Sequence, residues 1–216
     1  AVGALVEKVK DLGRAFVASV VQLDQFRRGM NAIYKDAGVA AQQLDFLRST
    51  ANESGVAFGS LSESFVRFSA ATKSAGIPLG VTNELFASVT KSAGSLGLTT
   101  EQTSGTLDAL GQIASKGVVS LEELRQQLGD RMPGALSAAA RGLGITEAEL
   151  IKLVESGNLA ARDFFPAFSR GLKGLQGDTE GLLPSWNRLT NVFKEAGQSA
   201  GDAGWTQVMT AGLKSL

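Results

Sequence analysis

The side chains with the most capacity for chemistry are the carboxylates at Glu122-Glu123 and Glu147-x-Glu149, and the serine–lysine neighbours Ser115-Lys116. Two carboxylates held a few ångströms apart can divide acid and base roles, as in glycoside hydrolysis. A serine paired with a lysine base can serve as an acyl-transfer nucleophile. Neither pattern is complete. The chain contains no histidine and no cysteine, which removes the commonest general base, the commonest metal ligand, thiolate sites and disulfides together. Both acidic pairs fall in first turns of expected helices, where the helix dipole favours anions. Adjacent residues on an α-helix point about 100° apart, which separates Ser115 from Lys116. No glycine cluster follows a strand, so no phosphate-cradling loop is suggested. The reading is of a non-enzymatic chain, with no catalytic, cofactor-binding or metal-binding residue.

These residues stand in an unusually dense stretch, Gln112 to Phe168, in which helix starts and stops follow one another with almost no slack. Lys116-Gly117 is a cation in a last turn followed by a glycine stop. Val118 and Val119 form a short extended link. Ser120 with Glu123 forms a predicted capping box, opening a helix with Leu121, Leu124 and Leu128 inward and Glu123 and Gln127 on its flank. Gly129 ends that helix, and Pro133 occupies the first position of the next, where its missing N–H is not needed. Gly134 follows it into that helix. Thr146 with Glu149 is a further capping box, and Asp163 caps a helix that tolerates Pro166 in its first turn. Glu123, Arg125 and Gln127 are the residues expected to hold this corner or to meet a partner there, with the corner preferred.

Around this stretch the remaining elements are also helical. Apolar residues from Val2 to Tyr34 recur every three or four positions and trace one long amphipathic helix at 1–34, core-facing or a coiled-coil lead-in. Further helices are expected after Gly38, from Ser60 or Ser62, from a Thr82 cap, and from a Thr99–Gln102 capping box, each closed by a glycine. After Gly174 the composition turns to a linker, then a helix with Trp186 and Phe193, and a weakly amphipathic end. The fold class is therefore all-α: a compact domain of about eight to ten short helices at 35–174, preceded by the longer helix and followed by a linker and C-terminal helices at 175–216. With 26 glycines among 216 residues and few aromatics, thin helical layers are expected rather than a large aromatic core.

Acidic and basic residues balance at 21 each, which argues against nucleic-acid binding. A helix-turn-helix outline at LSAAARGLGITEAELIKLV is also disfavoured, because Glu147 and Glu149 would repel phosphate. No apolar run approaches the roughly 20 residues that span a bilayer. The start at Ala1 suggests a processed chain or a piece of a longer one, and the piece is expected to be soluble.

The run QIASKGVVSLEELRQQLGDRMPGALSAAARGLGITEAELIKLVESGNLAARDFFPAF resembles the N-terminal domain of tailed-phage and prophage tape measure proteins. The matching positions include Gln112, Ser115, Lys116, Gly117, Glu123, Leu124, Arg125, Gln127, Leu128, Gly129, Pro133, Gly134, Thr146, Asp163 and Pro166, with the likeness running from about Phe26 to Gly174. Asp130 stands where the family has glutamate, and Met132 where it has leucine. The resemblance implies a structural part of the tail that sets tube length and acts in DNA ejection. It implies the tail tube protein, tail assembly chaperones and other tail proteins as partners, and the amphipathic helices offer a route to self-association. The implied location is the virion tail lumen, after synthesis in the bacterial host cytoplasm. The alternatives are a helical nucleic-acid-binding domain of helix-turn-helix outline and, behind it, a segment of a tail-associated lytic protein. An unbroken helix of about 200 residues would measure roughly 300 Å, and the glycine stops forbid one here, so a compact docking or assembly module is expected.

Overall fold

The computed structural model describes residues 21–176, and they are built from helices. In chain order these are α1 (residues 21–34), α2 (Ala37–Ser54), α3 (Phe58–Ser74), α4 (Leu79–Leu96), α5 (Thr100–Lys116), a π-helical run (Glu122–Gly129), α6 (Ala135–Leu143), α7 (Glu147–Glu155) and α8 (Ala161–Leu172). A 3-10 turn, Lys173–Leu175, closes the series. Among the described residues there is no β-strand, only an isolated antiparallel bridge between Val118 and Ala160. The expectation of an all-α fold of short helices is correct. The beginning of the long first helix, and the linker, Trp186 and Phe193 beyond Gln176, lie outside the described residues.

Glycines end most of these helices, as the sequence predicts. Gly55, Gly97, Gly117 and Gly144 all sit in the left-handed region as C-caps, a conformation that costs a residue without Cβ little. At Gly97 the closure is the double bond of a Schellman turn: Leu98 N–H reaches the Ala93 carbonyl and Gly97 N–H the Gly94 carbonyl. The Thr99–Gln102 and Thr146–Glu149 capping boxes are both formed.

Several expected starts are not, and α2 begins at Ala37, capped by the Asp36 carboxylate, rather than after Gly38. Helix α3 begins at Phe58, ahead of Ser60 and Ser62, and its N-cap is Ala57. Helix α4 begins after Pro78, whose fixed φ prepares the entry, and the Thr82 hydroxyl donates back to the Pro78 carbonyl at 3.3 Å. Helix α8 starts from Ala160 with no side-chain cap, so Asp163 lies within its first turn rather than capping it. There its carboxylate still favours the positive helix end.

Helix α4 touches α2, α3, α5 and α8, and the most extensive pairings are α6 with α8 and α3 with α5. Leu23, Phe26 and Met30 of α1 join the same core as the later helices. A run of phenylalanines threads that core: Phe26–Phe65, Phe65–Phe86, Phe86–Phe68, Phe68–Phe165, Phe165–Phe164 and Phe164–Phe168, with ring centroids 4.7 to 6.5 Å apart. Low aromatic content therefore misleads about the interior. The few aromatics are concentrated there, and the core is aromatic where thin layers of small residues were expected.

Candidate functional site: the corner after α5

Helix α5 ends at Lys116, and Gly117 turns the chain at φ 77°. The next residues run extended against the segment that enters α8. Val119 N–H donates to the Leu159 carbonyl, and Ala161 N–H to the Gly117 carbonyl, both at 2.9 Å. This two-bond splint fixes the direction in which the chain leaves α5, and it ties that exit to the start of α8, about forty positions later.

The following helix is wound as a π-helix from Glu122 to Gly129. Runs of this winding are rare and usually single turns. It alters the expected faces. Glu123, placed by α-helical spacing on the flank, is fully buried with Leu124 and Leu128, whereas Leu121 is only partly covered. The Glu123 carboxylate accepts from the Lys116 ammonium through one oxygen and from the Ser120 hydroxyl through the other. Glu122 lies 4.0 Å from the same ammonium. The predicted Ser120–Glu123 capping box is thus replaced by a hydroxyl–carboxylate contact, and Leu121 occupies the cap position without a side-chain bond. Burial pushes the Glu123 carboxyl upward, but the bonds from Lys116, Ser120 and its own N–H outweigh this, and the net shift is downward. Lys116 is held above the ordinary lysine range, chiefly by its bond to Glu123.

The exit from this helix also differs from the sequence reading. Gly129 does not stop it, since helical geometry continues through Asp130 and Arg131. Pro133 lies in a turn ahead of α6 rather than at its first position, and Gly134, at φ 81°, is the N-cap. The turn is closed by Ala135 N–H to the Met132 carbonyl at 3.0 Å. A proline followed by a left-handed glycine makes a sharper reversal than a proline-led helix start.

Of the other sequence candidates, Arg125 projects to solvent, and Gln127 is half-buried with its carbonyl accepting from Arg131 Nη1 at 3.2 Å. Gln112, Ser115 and Lys116 line an open groove of about 570 Å³ between α3 and α5, floored by Phe68, Ala71 and Leu107 and edged by an Arg67–Asp108 ion pair at 3.1 Å. Ser115 Oγ donates to the Gly111 carbonyl at 3.0 Å while Lys116 engages Glu123, so the two form no nucleophile–base pair. Glu149 is committed to Thr146, whose N–H and hydroxyl both donate to it at 2.8 Å, and these bonds lower its carboxyl. Thr146 and Asp163 belong to other helix starts and do not join the corner, Asp163 lying 3.9 Å from Arg162. Pro166, expected in a first turn, instead stands in the second turn of α8, inside the helix, because α8 starts at Ala161. Among the described residues no cluster of acidic side chains is placed to hold a metal, and no helix is long and apolar enough to cross a membrane.

Sequence reasoning missed a second junction, where α6 crosses α8. A Cβ on Gly142 would overlap the Ala167 carbonyl, and one on Gly171 would overlap the Ala138 carbonyl. The arginine before each glycine reaches across: Arg141 Nη2 donates to the Gly171 carbonyl at 2.6 Å, and Arg170 Nη2 to the Gly142 carbonyl at 3.2 Å. The signal was present as a repeated Arg-Gly-Leu at 141–143 and 170–172.

No solved structure matches the chain. The chain is similar to a probable tape measure protein of Salmonella phage Felix O1, with 36% identity over 122 residues. That match covers 56% of this chain and only 16% of the relative, so the chain spans a small part of the relative's length. The corner, the capping boxes and the α6–α8 crossing all lie inside residues 14–203, over which the sequence fits the family model described as tape measure protein. With most of its length matched in this way, the chain belongs to the tape measure protein family.

Proposed function

We propose that this chain is the part of a phage tail tape measure protein that docks other tail components during assembly, and that the measuring length is supplied by other parts of the protein. One observation carries the reading: the described residues fold back on themselves around a shared core. The longest helices with defined caps, α2 and α4, have 18 residues each, which is about 27 Å. Wound as one rod, the same 156 residues (21 to 176) would reach about 230 Å. A segment this compact adds little to a ruler but presents fixed surfaces to neighbours. Tail tube subunits and tail assembly chaperones are the partners proposed for them. The role is structural: of the candidate groups, Lys116 and Glu123 bond each other at the corner, Glu149 serves a capping box, and Ser115 returns its hydroxyl to the Gly111 carbonyl.

The test is an in-frame deletion of residues 37–172 from the full tape measure protein, with tails measured by electron microscopy. Docking predicts few or no tails, and any that form keep a length within about 30 Å of the parent's. Tails formed in normal number but shorter by about 200 Å would show that the segment is measured along its length, and the docking reading would fall.

A further inference from the structure

We propose that the Glu122–Gly129 segment is a two-register element, held in π winding by a latch made of Lys116, Glu123 and Ser120. Two registers are available because the sequence satisfies both. In α winding, Leu121, Leu124 and Leu128 share one face at three- and four-residue spacing, and Glu123 stands on the flank. In the observed π winding, Glu123 takes the inner place, Leu121 moves to a partly covered one, and Leu124 and Leu128 stay buried. Apolar burial alone favours the α register, since it would cover a leucine and return a carboxylate to water.

What favours the π register is polar and local. Glu123 gains the Lys116 ammonium and the Ser120 hydroxyl, and both donors lie ahead of the π run, next to the Gly117–Ala161 splint. A π turn closes from residue i to i+5 where an α turn closes to i+4, so the run takes up one residue more per closed turn. Re-winding would therefore turn the exposed residues Glu122, Arg125 and Gln126 about the axis. Lys116 also lines the α3–α5 groove and is half-exposed there. A carboxylate-bearing side chain entering the groove would compete with Glu123 for the ammonium and release the latch. The device stands apart from the docking proposal, because its readout is hydrogen-bond register and not tail assembly.

The test uses the whole chain and nuclear magnetic resonance couplings transmitted through hydrogen bonds, which report which carbonyl each amide meets. In the parent chain, amides of residues 127–129 are expected to pair with carbonyls five residues back. In Lys116→Met the set should change to pairs four residues back, with Leu121 becoming more protected. Five-residue pairing retained in Lys116→Met would overturn the latch. A second variant guards against misfolding of the first. Deleting the exposed Gln126 removes one residue from the π run and should give an α-wound segment, with Tm lowered by less than about 5 °C. A larger fall, or five-residue pairing retained in the shortened chain, would overturn the two-register reading.

Discussion

Glu123 shows how one carboxylate changes meaning with winding. Three-residue spacing from Ser120 predicts a surface capping acid, and no feature of the sequence marks it as an interior residue. Its burial accompanies the π winding, with Lys116 and Ser120 gathered around it by the turn at Gly117. Its titration has a definite sign. The folded-state carboxyl lies below the ordinary range, so its stabilisation is fully present above the unfolded value of about 4.3. It is lost as pH falls through the lower folded value. Lys116 is raised, so its share is present below about 10.4 and is lost only as pH climbs through its higher folded value. Glu123→Gln is therefore expected to lower stability at pH 7 by about 1–3 kcal/mol and to flatten the acid limb of a stability–pH curve. Urea titrations at several pH values read both effects; an acid limb as steep as the parent's would remove Glu123 from the ion pair. Gln112, Ser115 and Arg125 look equally distinctive in sequence, yet all three are exposed.

Helix boundaries were legible at most places where a local chemical signal decides them, although the Asp36 cap of α2 is equally local and the sequence reading places that start after Gly38. The Thr99 and Thr146 boxes and the left-handed glycine stops are fixed by interactions within five residues, and a sequence displays those. Helix α3 and helix α8 start without any side-chain cap, so packing sets their first residues and no local signal existed to be read. The same distinction governs substitutions. Thr99→Ala and Thr146→Ala should each cost about 1 kcal/mol. Thr82→Ala should cost less, because Thr82 only returns a bond to the Pro78 carbonyl inside a helix. At the α6–α8 crossing the backbones meet directly, and a methyl group has nowhere to go. Gly142→Ala and Gly171→Ala should each cost about 3 kcal/mol, at the upper end for overpacking. Gly129→Ala makes only an ordinary 3.5 Å approach to the Leu124 carbonyl and should be nearly neutral. Thermal melts of the six variants give the ranking; a tolerated Gly142→Ala would show that the two helices can part.

Across the whole molecule, the feature least legible in the sequence is the phenylalanine thread. Its members come from α1, α3, α4 and α8 and are separated by up to 142 positions, from Phe26 to Phe168. Helical periodicity puts each ring on an inner face but does not say which rings meet. The thread has a mechanical consequence, because it joins the early helices to α8 through Phe68 and Phe165, 6.1 Å apart. Helix α4 adds a second join, touching α2 on one side and α8 on another. Loosening either end should therefore be felt at the other. Phe65→Ala and Phe165→Ala are each expected to cost about 3–5 kcal/mol, and each should move one shared unfolding transition rather than detach half the fold. Urea unfolding followed by circular dichroism, with hydrogen exchange read separately at α2 and α6, distinguishes the outcomes. Coincident loss of protection at both helices is the result expected of one core. Protection retained at α6 while α2 opens would mean that the Phe68–Phe165 contact and α4 do not couple the two ends.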